Sequence, residues 1–268
     1  MPVGAARGGR GRGLSLDEPR TFRAGSVDST RPLSALHRLP RSGPVDRHLA
    51  LVEAARGRSV LHLGFVDERA EQKLEEGVWL HARLAGVARS LVGIDSSAEG
   101  VEWAKGHGYD AHVADVQSPE SLAALSLEPA EVVVAGELIE HLDAPGPFLR
   151  GVRHLVAADG RLVLTTPNPY RLVSILAALT GNELVHSDHT AWHSPQTLRT
   201  LFGQCGWEVE DLAYYHNPVR SVPARLVGTE RALAHLANAA RQALVVVGRR
   251  WPYLSEGIVV RARPRTAP

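Results

Sequence analysis

Glu137, Glu140 and His141, within Glu137-Leu138-Ile139-Glu140-His141-Leu142, stand at i, i+3 and i+4, so on a helix they share one face. Two carboxylates and an imidazole gathered there repel unless a proton or a cation relieves them, which makes a divalent metal ion one physical solution. A further ligand is on offer from Asp188, His189 or His193, in a segment rich in histidine that runs from His186. A mixture of Glu and His favours manganese, iron or zinc over magnesium. Without metal, His141 or His189 is the general base. Asp95 is a separate acid that directly ends the apolar run 91–94. An ionised carboxylate at a strand end accepts from two neighbouring ribose hydroxyls, and Asp95 with Ser96 and Ser97 also starts a helix at 99–105.

The elements that must position these groups begin with one βαβ unit over 131–168. Residues 132–135 form a short apolar run, the pattern of a strand buried on both faces of a parallel sheet, and Gly136 ends it. Phe148, Leu149, Val152, Leu155 and Val156 then recur at helical spacing behind Pro145 and Pro147. Asp159-Gly160 is expected to close that helix before 161–165 returns as a strand. Open parallel sheets take ligands beyond the carboxyl ends of their strands, so 136–141 and 166–168 are expected to face the site. Strands are also expected at 59–63, 91–94, 111–114 and 206–215, and helices at 44–55, 79–88, 172–179 and 195–202, the last capped by Ser194.

At these residues the chain resembles the class I S-adenosylmethionine-dependent methyltransferases, whose fourth and fifth strands carry an ExxEHL-like segment, a helix and a strand end like Gly160-Arg161-Leu162-Val163-Leu164-Thr165-Thr166-Pro167-Asn168. The resemblance runs, more weakly, over about residues 60–207. It implies an α/β fold: a doubly wound, mostly parallel, Rossmann-like sheet of roughly seven strands with an antiparallel edge strand at 257–263. It implies S-adenosylmethionine as cofactor, with Gly64 at the methionine part, Asp95 at the ribose and Asp115 facing the adenine amino group. Where the family has an acid in the first strand and a Gly-x-Gly-x-Gly turn, this chain has His62, then Gly64, Val66 and Glu68. Val66 is therefore expected to narrow the approach, and Asp67 to offer a carboxylate to the methionine ammonium; Asp67 and Glu68 equally suit the first turn of a helix. Glu-x-x-Glu-His is shared with ubiquinone-pathway O-methyltransferases. With His189 further on, it is similar to the metal-dependent small-RNA 2′-O-methyltransferases, whose metal positions correspond to Glu137, Glu140, His141 and His189. The resemblance makes His141, His189 and Glu137 catalytic candidates and places Glu137 also beside the cofactor. In the implied reaction an acceptor hydroxyl, its pKa lowered, attacks the sulfonium methyl in line.

Lys+Arg 30 against Asp+Glu 29 leaves a formal charge of +1, so no field favours nucleic acid or an anionic membrane, and RNA is the less favoured acceptor class. The single cysteine, Cys205, excludes an internal disulfide and fits a reducing, cytoplasmic compartment. No apolar run reaches the ~20 residues that span a bilayer, and the Gly/Arg-rich start lacks the apolar core of a secretory signal. Residues 1–43 are expected to form a disordered or loosely attached arm, and 44–268 a methyltransferase domain with a helical insertion at about 218–254. The insertion's apolar side (Leu226, Leu233, Leu236, Ala240, Leu244) and its arginines (Arg225, Arg231, Arg241, Arg249, Arg250) suit packing on the sheet, a lid, a homodimer contact or a membrane surface. The expected activity is O-methylation of a small-molecule acceptor. The competing expectations are a metal-dependent RNA 2′-O-methyltransferase and a scaffold protein that kept the fold without turnover.

Overall fold

The computed structural model describes residues 36–217, 222 and 227–265. The chain divides into two units, Met1–His37 and Arg38–Pro268, and every described element lies in the second. The expected arm lies outside the described residues as far as residue 35, and so do Arg225 and Leu226 of the expected insertion. In chain order the elements are β1 (Val45–Asp46), α1 (Arg47–Ala55), β2 (Ser59–Leu63), α2 (Ala70–Glu75), α3 (Leu80–Ala85), β3 (Ser90–Asp95), α4 (Ala98–Gly106), β4 (Ala111–Val113), α5 (Pro119–Ala124) and β5 (Ala130–Gly136). They continue with α6 (Pro145–Val152), β6 (Val156–Pro167), α7 (Leu172–Leu179), α8 (Pro195–Gln204), β7 (Trp207–His216), α9 (Gly228–Arg250) and β8 (Gly257–Pro264). Single 3-10 turns occupy Ile139–His141, Arg153–Leu155 and Pro252–Leu254.

The strands form one sheet in the order β1-β7-β8-β6-β5-β2-β3-β4. All neighbours are parallel except β8, which is antiparallel to β6 and to β7. The antiparallel strand read as an edge therefore lies inside the sheet, because β7 and the two-residue β1 continue beyond it. Its side chains match that place: Ile258 and Val260 enter one core and Val259 the other. The same period of two divides the central strands. Val133, Ala135, Leu162 and Leu164 pack on Phe148 and Leu149 of α6 and Leu198 and Phe202 of α8, while Val132, Val134 and Val163 meet Leu51 and Val52 of α1 and Leu80 and Leu84 of α3.

The βαβ unit differs from its expected form at one point. The helix ends at Val152 with a 3-10 turn behind it, and Asp159-Gly160 lies inside β6. The register between β5 and β6 shifts between Ala130 and Val132, and a Cβ on Gly160 would stand 2.9 Å from the carbonyl oxygens of both Ala130 and Glu131. The glycine serves a bulge where two backbones approach, not a helix end. Helix α9 is largely exposed: Gly248 is its one buried residue, and Leu233, Leu236 and Val246 face solvent; α7 buries no residue at all. Among the described residues no helix is long and apolar enough to cross a membrane.

Candidate active site

From β2 the chain builds β3 and β4 to one side and then crosses to β5 and β6 on the other, so the strand order reverses at β2. A crevice forms at such a reversal, outside the carboxyl ends of the strands. A cavity of about 710 Å³ opens there, and Gly64, Asp67, Asp95, Asp115, Glu137, Glu140, His141 and His189 all border it.

At one end the turn after β2 is built without the usual glycines. Gly64 takes φ +63°, a conformation that favours glycine, and a Cβ there would also press on the Leu138 side chain. Phe65 then drops into a small aromatic core beside Trp79, whose indole N–H donates to the Phe65 carbonyl at 3.2 Å. Val66 borders the cavity, yet its side chain turns onto Gly100 in the first turn of α4, where a Cβ would come within 2.8 Å of Cγ2. The room that Val66 was expected to take from the ligand is thus given up by a glycine on another element. The Val66 N–H donates to Asp95 Oδ2 and the Ser97 N–H to Asp95 Oδ1, both at 2.9 Å. Asp95 is 8% exposed, and each of its oxygens keeps a lone pair for a ligand. Ser97, not Asp95, caps α4 by accepting from Gly100 N–H. Asp115 is exposed at the far end, its Oδ1 accepting from Gln117 N–H at 2.8 Å. Asp67 is paired with Lys73 at 2.6 Å.

The groups at the β5 end fall into two sets. Glu137 adopts φ +55°, a strained conformation for a residue with a side chain, held by its N–H donating to the Thr165 carbonyl at 3.0 Å. Its carboxylate accepts from the Tyr215 hydroxyl at 2.8 Å and lies 3.8 Å from Arg47 Nε. Only one 3-10 turn follows, so the single helical face expected for Glu137, Glu140 and His141 does not form. Glu140, His141 and His189 instead bring one ligand atom each within 4.8 Å of one another, a group without Glu137. Glu140 is 1% exposed and neither carboxylate oxygen has a hydrogen-bond partner. Burial, then the Glu137 charge, push its pKa up to about 8. His141 Nδ1 lies 3.2 Å from the Asp188 carbonyl, which places the proton on Nδ1 and leaves Nε2 a lone pair. The His189 ring meets His141 edge-on at 4.7 Å, and its buried Nδ1 is unpartnered. Burial, then His141 and His186, lower the pKa of His189, so its imidazole is neutral at pH 7. Thr190 fastens this loop, its N–H donating to the Glu140 carbonyl at 2.8 Å. His193 and Asp188 do not join the group.

Arg47 is the residue that the sequence did not bring forward. Its side chain is 14% exposed, its Nε donates to Thr165 Oγ1 at 3.1 Å, and a Cβ on Gly136 would stand 2.9 Å from its terminal nitrogen. Burial opposes its charge but is outweighed by Glu137, Tyr215, Asp67 and Glu140, which hold its pKa above the ordinary value. One signal was present: Arg47 opens α1, where the helix dipole disfavours a cation unless another partner compensates.

The methyltransferase-domain family matches residues 75–212, about half of the chain. The chain is 27% identical, over 180 residues, to the ubiquinone biosynthesis O-methyltransferase of Thiobacillus denitrificans, covering 60% of this chain and 77% of that protein. Its fold is similar to that of a presumed methyltransferase of Bacillus halodurans C-125, with a TM-score of 0.51, 14% identity, and 82% and 99% of the two chains covered. It is equally similar to a chain of the complex between the Haloferax volcanii Trm112 methyltransferase activator and its presumed methyltransferase, with a TM-score of 0.51, 15% identity, and 82% and 90% covered. With the switch-point crevice, the strand-end acid and the Glu-x-x-Glu-His segment, the family match means that the chain belongs to the methyltransferase-domain family, within the class I S-adenosylmethionine-dependent superfamily.

Proposed function

We propose that the protein transfers the methyl group of S-adenosylmethionine to a hydroxyl oxygen of a small-molecule acceptor. The observation that carries this reading is that one cavity is bordered both by Asp95 and Asp115, suited to a nucleoside, and by Glu140, His141 and His189, suited to the reacting groups. The likeness to an O-methyltransferase supports oxygen as the accepting atom. In this reading the free lone pairs of Asp95 accept the two ribose hydroxyls. Arg47 and Lys73 receive the methionine carboxylate, Asp67 the ammonium, and Gly64 lets the backbone come close. The neutral imidazole of His189, which borders the cavity, takes the proton of the acceptor hydroxyl. As the oxygen–carbon bond forms, the carbon–sulfur bond breaks and S-adenosylhomocysteine leaves, the proton remaining on the imidazole. Glu137, fixed by Tyr215 and Arg47, orients the strand end, and its charge adds to the burial that keeps Glu140 protonated.

The residues also fit a divalent cation: three donor atoms within 4.8 Å of one another, one of them on a buried carboxylate with both oxygens unbonded. When bound, such an ion would supply Lewis acidity toward the acceptor hydroxyl. The test is S-adenosylhomocysteine formation with a panel of phenols and vicinal diols, with and without chelator. Turnover with hydroxyl acceptors is expected. Methylation confined to nitrogen or carbon would overturn the reading, and turnover on RNA with steep salt dependence would move it to a nucleic-acid acceptor.

A further inference from the structure

Beside the main cavity lies a second chamber of about 310 Å³, room for roughly ten waters or one small acid. Arg47, Gly64, Asp67, Lys73 and Gly136 border both spaces, so occupants of the two would touch. Its other walls carry His48, Arg83, Arg241 and Glu256. Arg47 is answered by Glu137, Lys73 by Asp67, and Arg241 by the charge of Glu256. Arg83 is different. Among the described residues it bonds His48 Nδ1 at 2.9 Å and no carboxylate. Burial, then the charges of Arg47 and Arg83, hold His48 down at a pKa of about 4, so this partner is neutral. The floor is His62, buried against His81 with their Nδ1 atoms 3.2 Å apart, and also uncharged. The chamber is thus bordered by one exposed positive charge, Arg83, that no carboxylate among the described residues answers.

The roof has a built position. Gly248 of α9 sits against the His216 ring and Ser255, where a Cβ would meet Ser255 Oγ at 2.7 Å. Arg241, two turns earlier on the same face, is thereby brought over the chamber. We propose that this chamber is an oxyanion subsite for the methyl acceptor: the acceptor carries a carboxylate or phosphate, held between Arg83 and Arg241, while its hydroxyl reaches into the main cavity. This rests on the methyltransferase reading and adds the chemical class of its substrate. The cofactor's own carboxylate is met by Arg47 and Lys73, which leaves Arg83 and Arg241 for a second anion.

The test uses the full chain saturated with S-adenosylhomocysteine, titrated calorimetrically with 3,4-dihydroxybenzoate, with pyrophosphate and, as the uncharged match, with catechol. At least one anion is expected to bind with a Kd below about 1 mM and about tenfold more tightly than catechol. Arg83→Ala and Arg241→Ala should each weaken that anion by about tenfold, while the affinity for S-adenosylhomocysteine stays within about twofold. The carboxylate and phosphate arms distinguish the two sources of the charge. Equal binding of catechol and both anions, no anion binding, anion affinity untouched by both substitutions, or competition between anion and S-adenosylhomocysteine would each overturn the subsite. Failure of S-adenosylhomocysteine itself to bind is read first, and it overturns the methyltransferase reading together with this inference.

Discussion

Glu140→Gln should make the metal-free protein more stable, by an amount that grows with pH. Glu140 is almost fully buried with no hydrogen bond to either oxygen, so its ionised form is disfavoured and its pKa rises from 4.5 to about 8. A carboxyl raised in this way contributes its full stability below pH 4.5, where both folded and unfolded forms hold the proton, and loses it as pH rises toward 8. At roughly 1.4 kcal/mol per pH unit over that interval, the wild type gives up about 4 kcal/mol by pH 8, an upper value because the site can relax and admit water. The amide does not titrate. Urea unfolding of both proteins with chelator at several pH values should therefore show curves that coincide near pH 4.5 and separate by about 2–4 kcal/mol at pH 8, with the variant more stable. Added manganese or zinc should then stabilise the wild type alone, since the ionised carboxylate becomes a ligand. A constant difference across the pH range, or a variant less stable at pH 8, would refute the account of Glu140.

Other outcomes follow from the same geometry. Gly100→Ala should cost about 1–3 kcal/mol and weaken S-adenosylmethionine binding, because Val66 is displaced and carries the turn with it; adding Val66→Ala should restore most of both, read by thermal unfolding and calorimetry. Arg47→Ala should destabilise the fold by about 3 kcal/mol, by leaving Glu137 without its cation, and should raise the cofactor Kd at least about tenfold. The lowered pKa of His189 keeps it a base below pH 6.5, so the acid limb of kcat/KM should fall below that value, and His189→Gln should abolish the limb along with most of the activity.

The strands were legible because parallel strands buried on both faces leave short apolar runs, as at Val132, Val133 and Val134. Ser194 and Pro195 announced α8 through a local hydrogen bond pattern that needs no tertiary context. Gly160 was misread because a glycine after an acid looks alike at a helix end and at a bulge, and only the carbonyls of Ala130 and Glu131 distinguish them. The interior place of β8 depends on where β7 pairs, which no local pattern carries. In the site, Glu140 and His141 lie beside His189, the histidine that the family resemblance and not the spacing singled out, whereas Glu137, at positive φ, stands outside this group. Arg47 and the compensation of Val66 by Gly100 are contacts between residues far apart in the chain, invisible without the fold.

Calorimetric titration of wild type and Asp95→Asn with S-adenosylmethionine tests the central claim most directly, because every assigned role depends on the cofactor lying across Asp95. The account predicts micromolar binding to the wild type and a loss of about tenfold or more in the variant, which keeps the side-chain shape but replaces an acceptor with a donor. No binding to the wild type at millimolar cofactor, or equal binding by both proteins, would contradict it.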